Sequence, residues 1–208
     1  MAEHSKVLEE RIRVRAYYLW LDSNYPPALE HDFWYRAEMR ERARARLESL
    51  ISSVSEGAAY SHAFNLDVEP SADRKGMSCT RLSDENTGVD FVRLANGSAT
   101  AFAGGKTNGY SIRVPDALEI AASGKNVAVD VVARAAEAAG SRFAIAYSTN
   151  EVGNSGWRWS DAGSEWSTFG MKFQVPPMKS GNGDFVGLLA DVEGRPGVDI
   201  CAMSVRVF

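Results

Sequence analysis

The sequence predicts a mainly β fold, a β-sandwich preceded by an α-helical hairpin. Three observations carry this. Apolar residues recur at helical spacing up to about Ser55, the period falls to two from about Tyr60, and turn-forming dipeptides then punctuate the chain. The expected organisation is a hairpin over residues 1–56 and a sandwich over residues 57–208.

Leu8, Ile12, Ala16 and Leu19 line one face of a first helix from about Lys6 to Leu21, and Val14, Tyr18 and Leu21 line another. The prolines of Asp22-Ser23-Asn24-Tyr25-Pro26-Pro27 stop it, because proline cannot continue the hydrogen-bond ladder. Asp32 suits the N-cap of a second helix running to about Ser55, with Ala43, Leu47, Leu50, Ile51 and Val54 as its apolar stripe. Two helices alone bury too little surface, so the hairpin is expected to cover the sandwich or to form a homo-oligomer with a second copy.

Beyond Tyr60 the turns Asn96-Gly97, Gly104-Gly105, Asn108-Gly109, Ser123-Gly124, Gly181-Asn182-Gly183 and Gly194-Arg195-Pro196-Gly197 separate short apolar runs. Strands are expected over residues 63–68, 89–94, 98–103, 110–114, 126–134, 141–148, 167–175, 184–190 and 198–207. Nine strands at this spacing suit a sandwich. Val127, Val129, Val131 and Ala133 alternate toward a core, whereas Ala144, Ala146 and Ser148 give the next strand one face of small residues.

Composition narrows the function. The formal charge is −4, with nine basic and ten acidic residues among 1–56 and fourteen and seventeen in the remainder, so neither part has the basic excess that nucleic acid requires. The Arg40–Arg46 run is diluted by Glu41 and Glu48 and matched by Glu38 at i,i+4 from Arg42, which makes it a solvated helix face. The N-terminus lacks the pattern of a secretory signal and no apolar run is long enough for a membrane span, so the expected address is cytoplasmic, with no membrane partner. Cys79 and Cys201 have no metal or redox spacing; Cys201 is read as a small core residue alternating with Met203 and Val205.

No catalytic signature is present, and the protein is read as a non-enzyme. His4, His31 and His62 have no nucleophile or metal motif beside them, and Glu165 with Asp199 makes only a generic carboxylate pair. Gly104-Gly105-Lys106-Thr107 lacks the first glycine of a phosphate loop and leads into a strand. The richest segment is Ala144–Val175, where a polar loop carries several tryptophans and asparagines. Trp159 and Trp166 are the candidate stacking platforms, Tyr147 and Trp157 the walls or supports, and Asn150, Glu151, Asn154 and Arg158 the polar readers of a ligand. The competing reading of these residues is loop anchoring and turn chemistry.

Two resemblances accompany this reading. Ile12-Arg13-Val14-Arg15-Ala16-Tyr17-Tyr18-Leu19-Trp20, with His31, Trp34, Arg36, Ala37 and Glu38, resembles a short bacterial domain of unknown function, departing from it where Asp32-Phe33 separates His31 from Trp34. Tyr110–Pro115, the Ala-Tyr-Ser-Thr-Asn to Gly-Trp loop, Phe173–Pro176 and the Asp184–Cys201 pair of strands are similar to the galactose-binding-like jelly rolls that serve as carbohydrate-binding modules. That resemblance implies a jelly-roll β-sandwich and a carbohydrate ligand. It also implies a possible structural calcium, for which Asp84-Glu85-Asn86 and Asp116 with Glu119 are the oxygen-rich points, although no other cofactor is expected. The alternative function is a structural or protein-interaction scaffold assembled through the hairpin.

Overall fold

A computed structural model describes residues 2–24, 30–64, 78–95, 109–181, 183–191 and 197–208. The expected strand over 98–103, the Gly104–Thr107 segment, the prolines at 26 and 27 and most of the 63–68 strand lie outside the described residues. The chain divides into two compact units, Met1–Ser49 with Ser83–Val89 and Leu50–Leu82 with Asp90–Phe208.

The first unit is a helical hairpin of α1 (Ala2–Asp22) and the greater part of α2 (Glu30–Ser55). Asp32 lies inside the first turn of α2 rather than at its cap, where its charge still favours the helix N-terminus. Leu47 and Val54 are buried as the expected stripe has them. Ala43 is exposed instead, and Phe33, Ala37 and Glu41 are buried, so the inward face of α2 incorporates an acid that the sequence suggested was solvated. Glu41 survives burial because two arginines of α1 close on it, Arg11 Nε at 2.8 Å and Arg15 Nε on the other oxygen. Glu38 and Arg42 form the expected i,i+4 pair. Neither helix is long and apolar enough to cross a membrane.

The second unit is a jelly-roll β-sandwich. Its six-stranded sheet runs β2 (Ser78–Ser83), β3 (Asp90–Ala95), β11 (Val198–Val207), β5 (Asn126–Ala135), β9 (Ser167–Gln174), with β1 (Tyr60–Ala63) also paired to β11. The five-stranded sheet runs β4 (Tyr110–Arg113), β10 (Asp184–Ala190), β6 (Ser141–Thr149), β7 (Gly153–Asn154), with β8 (Arg158–Ala162) also paired to β6. Val127, Val129, Val131 and Ala133 are buried, as their alternation predicts, facing Phe143, Ile145 and Tyr147 of the opposite sheet. Phe143 meets Phe169 edge-on at 5.0 Å, and Tyr147 lies 6.3 Å from Phe173, which fixes these rings as the inter-sheet layer.

Three departures from the sequence reading position the site. Trp159 lies in a strand, β8, rather than in a free loop. A short helix, α3 (Asp116–Ala122), follows Pro115, buries Leu118 and Ala122 and brings Glu119 inside. A β-bulge between Ile200 and Ala202 breaks the expected alternation of Cys201 with Met203 and Val205. No disulfide joins the two cysteines. The end of α2 belongs to this unit, and Ser204 Oγ donates to the Val54 carbonyl, satisfying a buried hydroxyl on the outer side of the six-stranded sheet.

Candidate ligand-binding face

Strand alternation assigns the tryptophans to faces. Directly paired residues of antiparallel strands point the same way, and Trp159 pairs with Ala144, which pairs in turn with Leu189. Since Phe143, Ile145 and Tyr147 face the core, Ala144, Ala146 and Ser148 face outward, and Trp159 with them. Two residues further along, Ala146 pairs with Gly187 and Gly187 with Ser111. This row of the outward face is therefore almost without side chains, between Leu189 in the row before it and Phe185 with Arg113 in the row after.

Trp157 reaches the same sheet. The Cη2 edge of its indole comes within 3.1 Å of the place a Cβ would take on Gly109, beside β4. Ala144 and Ala146 are fully buried although they point outward, so this face, which the sequence marks only as one of small residues, is covered. Trp157 and Trp159 are themselves half-buried. Arg142 stacks its guanidinium 5.0 Å from the Trp159 ring centroid, and Asp161 pairs with Arg142 across the strands, so one charge of each sign borders the aromatic pair.

The other expected ligand residues divide. Trp166 lies on the opposite outer face of the sandwich, 9% exposed, with its ring 4.5 Å below Arg134 and edge-on to Phe91 at 5.8 Å. Arg134 and Arg93 converge there on Asp199, which is fully buried at 2.7 Å from Arg93 Nε and 3.2 Å from Arg134 Nε. Trp166 and Trp159 thus cannot form one platform, and Asp199 is held by two arginines rather than poised opposite Glu165. Tyr147 is fully buried and donates its hydroxyl to Asp184 at 2.7 Å, which makes it a support of the sheet from within. Arg158 pairs with Ile145 and so alternates away from the Trp159 face.

Turn chemistry accounts for the acceptors. Glu151 takes the backbone N–H groups of Lys179 and Ser180 at 2.7 and 2.9 Å, and those bonds hold its carboxyl below the usual range. Asn154 Oδ1 accepts from Gly156 N at 2.9 Å, allowing the chain to turn at a glycine with φ of 67° just before Trp157. Asn154 pairs with Ser148 and so keeps a place at the edge of the outward face, while Asn150 is exposed in the turn before β7. Arg142 and Asp161 were missed; the period-two alternation of β6, carried across to a strand at Trp159, is the signal that finds them.

The points proposed for calcium do not fit one. Asp84 Oδ1 accepts from Asn86 N, Thr87 N and Thr87 Oγ1 within its own turn. Asp116 is paired with Arg113, and both oxygens of Glu119 face Gly183 N. Among the described residues no three histidine, cysteine or acidic side chains converge as a metal cluster.

The sandwich is similar to carbohydrate-binding jelly rolls. The N-terminal tandem of family 22 carbohydrate-binding modules from Paenibacillus barcinonensis Xyn10C superposes with a TM-score of 0.51 at 11% identity, over 72% of this chain and 45% of that one. The first xylan-binding module of the same protein gives 0.47 at 11% identity over 71% and 92% of the two chains. The C-terminal family 22 module of Clostridium thermocellum Xyn10B gives 0.48 at 15% over 72% and 94%. At 11% identity the likeness to the tandem modules shows the fold alone. Residues 7–39 match the family described as protein of unknown function DUF2934, which covers most of α1 and the start of α2. No curated protein matches the chain.

Proposed function

We propose that the sandwich is a non-catalytic recognition module that binds carbohydrate on the outward face of its five-stranded sheet. The observation that carries this reading is the placement of Trp159 on the outward face, paired with Ala144, with Trp157 two residues before it and its ring edge beside Gly109 of the same sheet. Sugar rings present apolar C–H faces that pack on indoles, and their equatorial hydroxyls need donors and acceptors at the rim. Arg142, Asp161 and Asn154 supply both. Trp166 and Tyr147 act on stability, and Glu151 acts by shaping the loop it clamps.

The test is a glycan-array screen of the full chain with and without calcium, repeated on Trp157→Ala/Trp159→Ala. This reading expects a discrete family of hits, the same in both conditions, weakened at least about tenfold in the variant because stacked aromatics dominate such sites.

A second reading is favoured by the complete burial of Ala144, Ala146 and Ser148. In it the covered face is structural and the protein is a scaffold for a protein partner. A blank array in both conditions selects it.

A further inference from the structure

The first unit contains a groove of about 530 Å³ between α1 and α2. Val14 and Tyr18 line it with 46% and 59% of their surface exposed. Most charges around it are matched within the hairpin. Arg11 and Arg15 bind Glu41, Arg44 binds Glu48, and Glu10 binds Arg13. Two lining residues of opposite sign, Asp22 and Arg40, have no charged partner among the described residues.

Their positions along the groove are related. The Arg15–Glu41 pair sets Arg40 level with about residue 16 of α1. Asp22 therefore lies about 9 Å further along, at 1.5 Å per residue, with Tyr18 and Leu19 midway between the two unmatched charges. A groove with one unmatched charge of each sign, spaced evenly about an exposed aromatic, is complementary to its own inverse. A two-fold interface has that property, because residue i then meets residue j while j meets i.

We propose that this groove is closed by a second copy of the chain in a two-fold dimer, with Tyr18 packed near the axis and Asp22 of each copy paired with Arg40 of the other. The occupant is the protein itself, because a cationic or an anionic partner would match one of these charges and leave the other facing its own sign. Each dimer carries two sandwiches, so a polymeric ligand that reaches both is held with higher avidity than either site provides.

The test is sedimentation equilibrium of the full chain with charge-reversed variants, using circular dichroism to confirm that each is folded. Asp22→Arg and Arg40→Glu each set like charges opposite one another twice, and each is expected to weaken the dimer about tenfold or more. Mixing the two variants restores both pairs and is expected to give a heterodimer with affinity near the wild type. Tyr18→Glu, which is independent of either pair, is expected to give monomer. A wild type that is monomeric at every concentration overturns the proposal. So does a dimer that ignores both reversals, or a mixture that fails to reassociate.

Discussion

The hydroxyl of Tyr147 donates to Asp184 Oδ2 at 2.7 Å between two side chains that are both fully buried. The other Asp184 oxygen is buried without a hydrogen-bond partner. Burial pushes this carboxyl up to about 6, against the Tyr147 hydrogen bond, which lowers it, and with help from the charges of Glu119 and Glu151. Burial and the adjoining carboxylate push the phenol far above its ordinary value.

This arrangement makes stability fall as pH rises. The folded state holds the Asp184 proton up to about 6, whereas an unfolded aspartate releases it near ~3.9, so the stabilising contribution is full below the lower value and gone above the higher one. Asp184→Asn keeps an acceptor for Tyr147 and has no proton to release. Urea unfolding is expected to show the variant about 1–2 kcal/mol more stable at pH 7.5, without this component of the decline between about pH 4 and pH 6. Equal slopes for the two proteins contradict the assignment.

Asp199 is the buried centre of an ion-pair triad with Arg93 and Arg134, each on a neighbouring strand. Asp199→Ala leaves two partly covered guanidinium groups without their carboxylate. The expected loss is about 2–3 kcal/mol in chemical denaturation, and Asp199→Asn is expected to lose less.

Trp166 and Trp159 are expected to separate stability from binding. Trp166→Ala removes the ring beneath Arg134 and beside Phe91, at a cost of about 3 kcal/mol, with glycan affinity retained. Trp159→Ala is expected to shift the melting temperature by only a few degrees while glycan affinity falls about tenfold. Thermal melts run in parallel with binding curves check both.

Gly109 has no room for a side chain. A Cβ there would sit 2.3 Å from the Leu188 carbonyl oxygen and 3.1 Å from Trp157 Cη2. Gly109→Ala must therefore shift the backbone where β4 and β10 meet, and it crowds the indole as well. The expected result is about 1–3 kcal/mol of destabilisation by overpacking, together with weaker glycan binding.

The sandwich was legible because alternation and turn residues are local signals. Val127, Val129, Val131 and Ala133 are buried as their spacing requires. The helix α3 was not foreseen, although Pro115 followed by Asp-Ala-Leu-Glu-Ile-Ala-Ala joins a proline start to good helix formers. The site was legible in residue type but not in grouping. Which tryptophans share a face depends on which strand carries each, and pairing is a long-range property. Trp159 joins β6 through β8, whereas Trp166 leads into β9 of the other sheet. Glu41 was misread for a similar reason, since its burial depends on arginines 26 and 30 residues away in the chain.

The central claim is that a glycan binds on the face that carries Trp157 and Trp159. Isothermal titration calorimetry of the full chain with a panel of soluble oligosaccharides tests it most directly, comparing the wild type, Trp157→Ala/Trp159→Ala and Trp166→Ala. The account predicts saturable heat from at least one oligosaccharide with the wild type and with Trp166→Ala, and none with the double variant. Heat that persists in the double variant, or is absent for every oligosaccharide with the wild type, contradicts it.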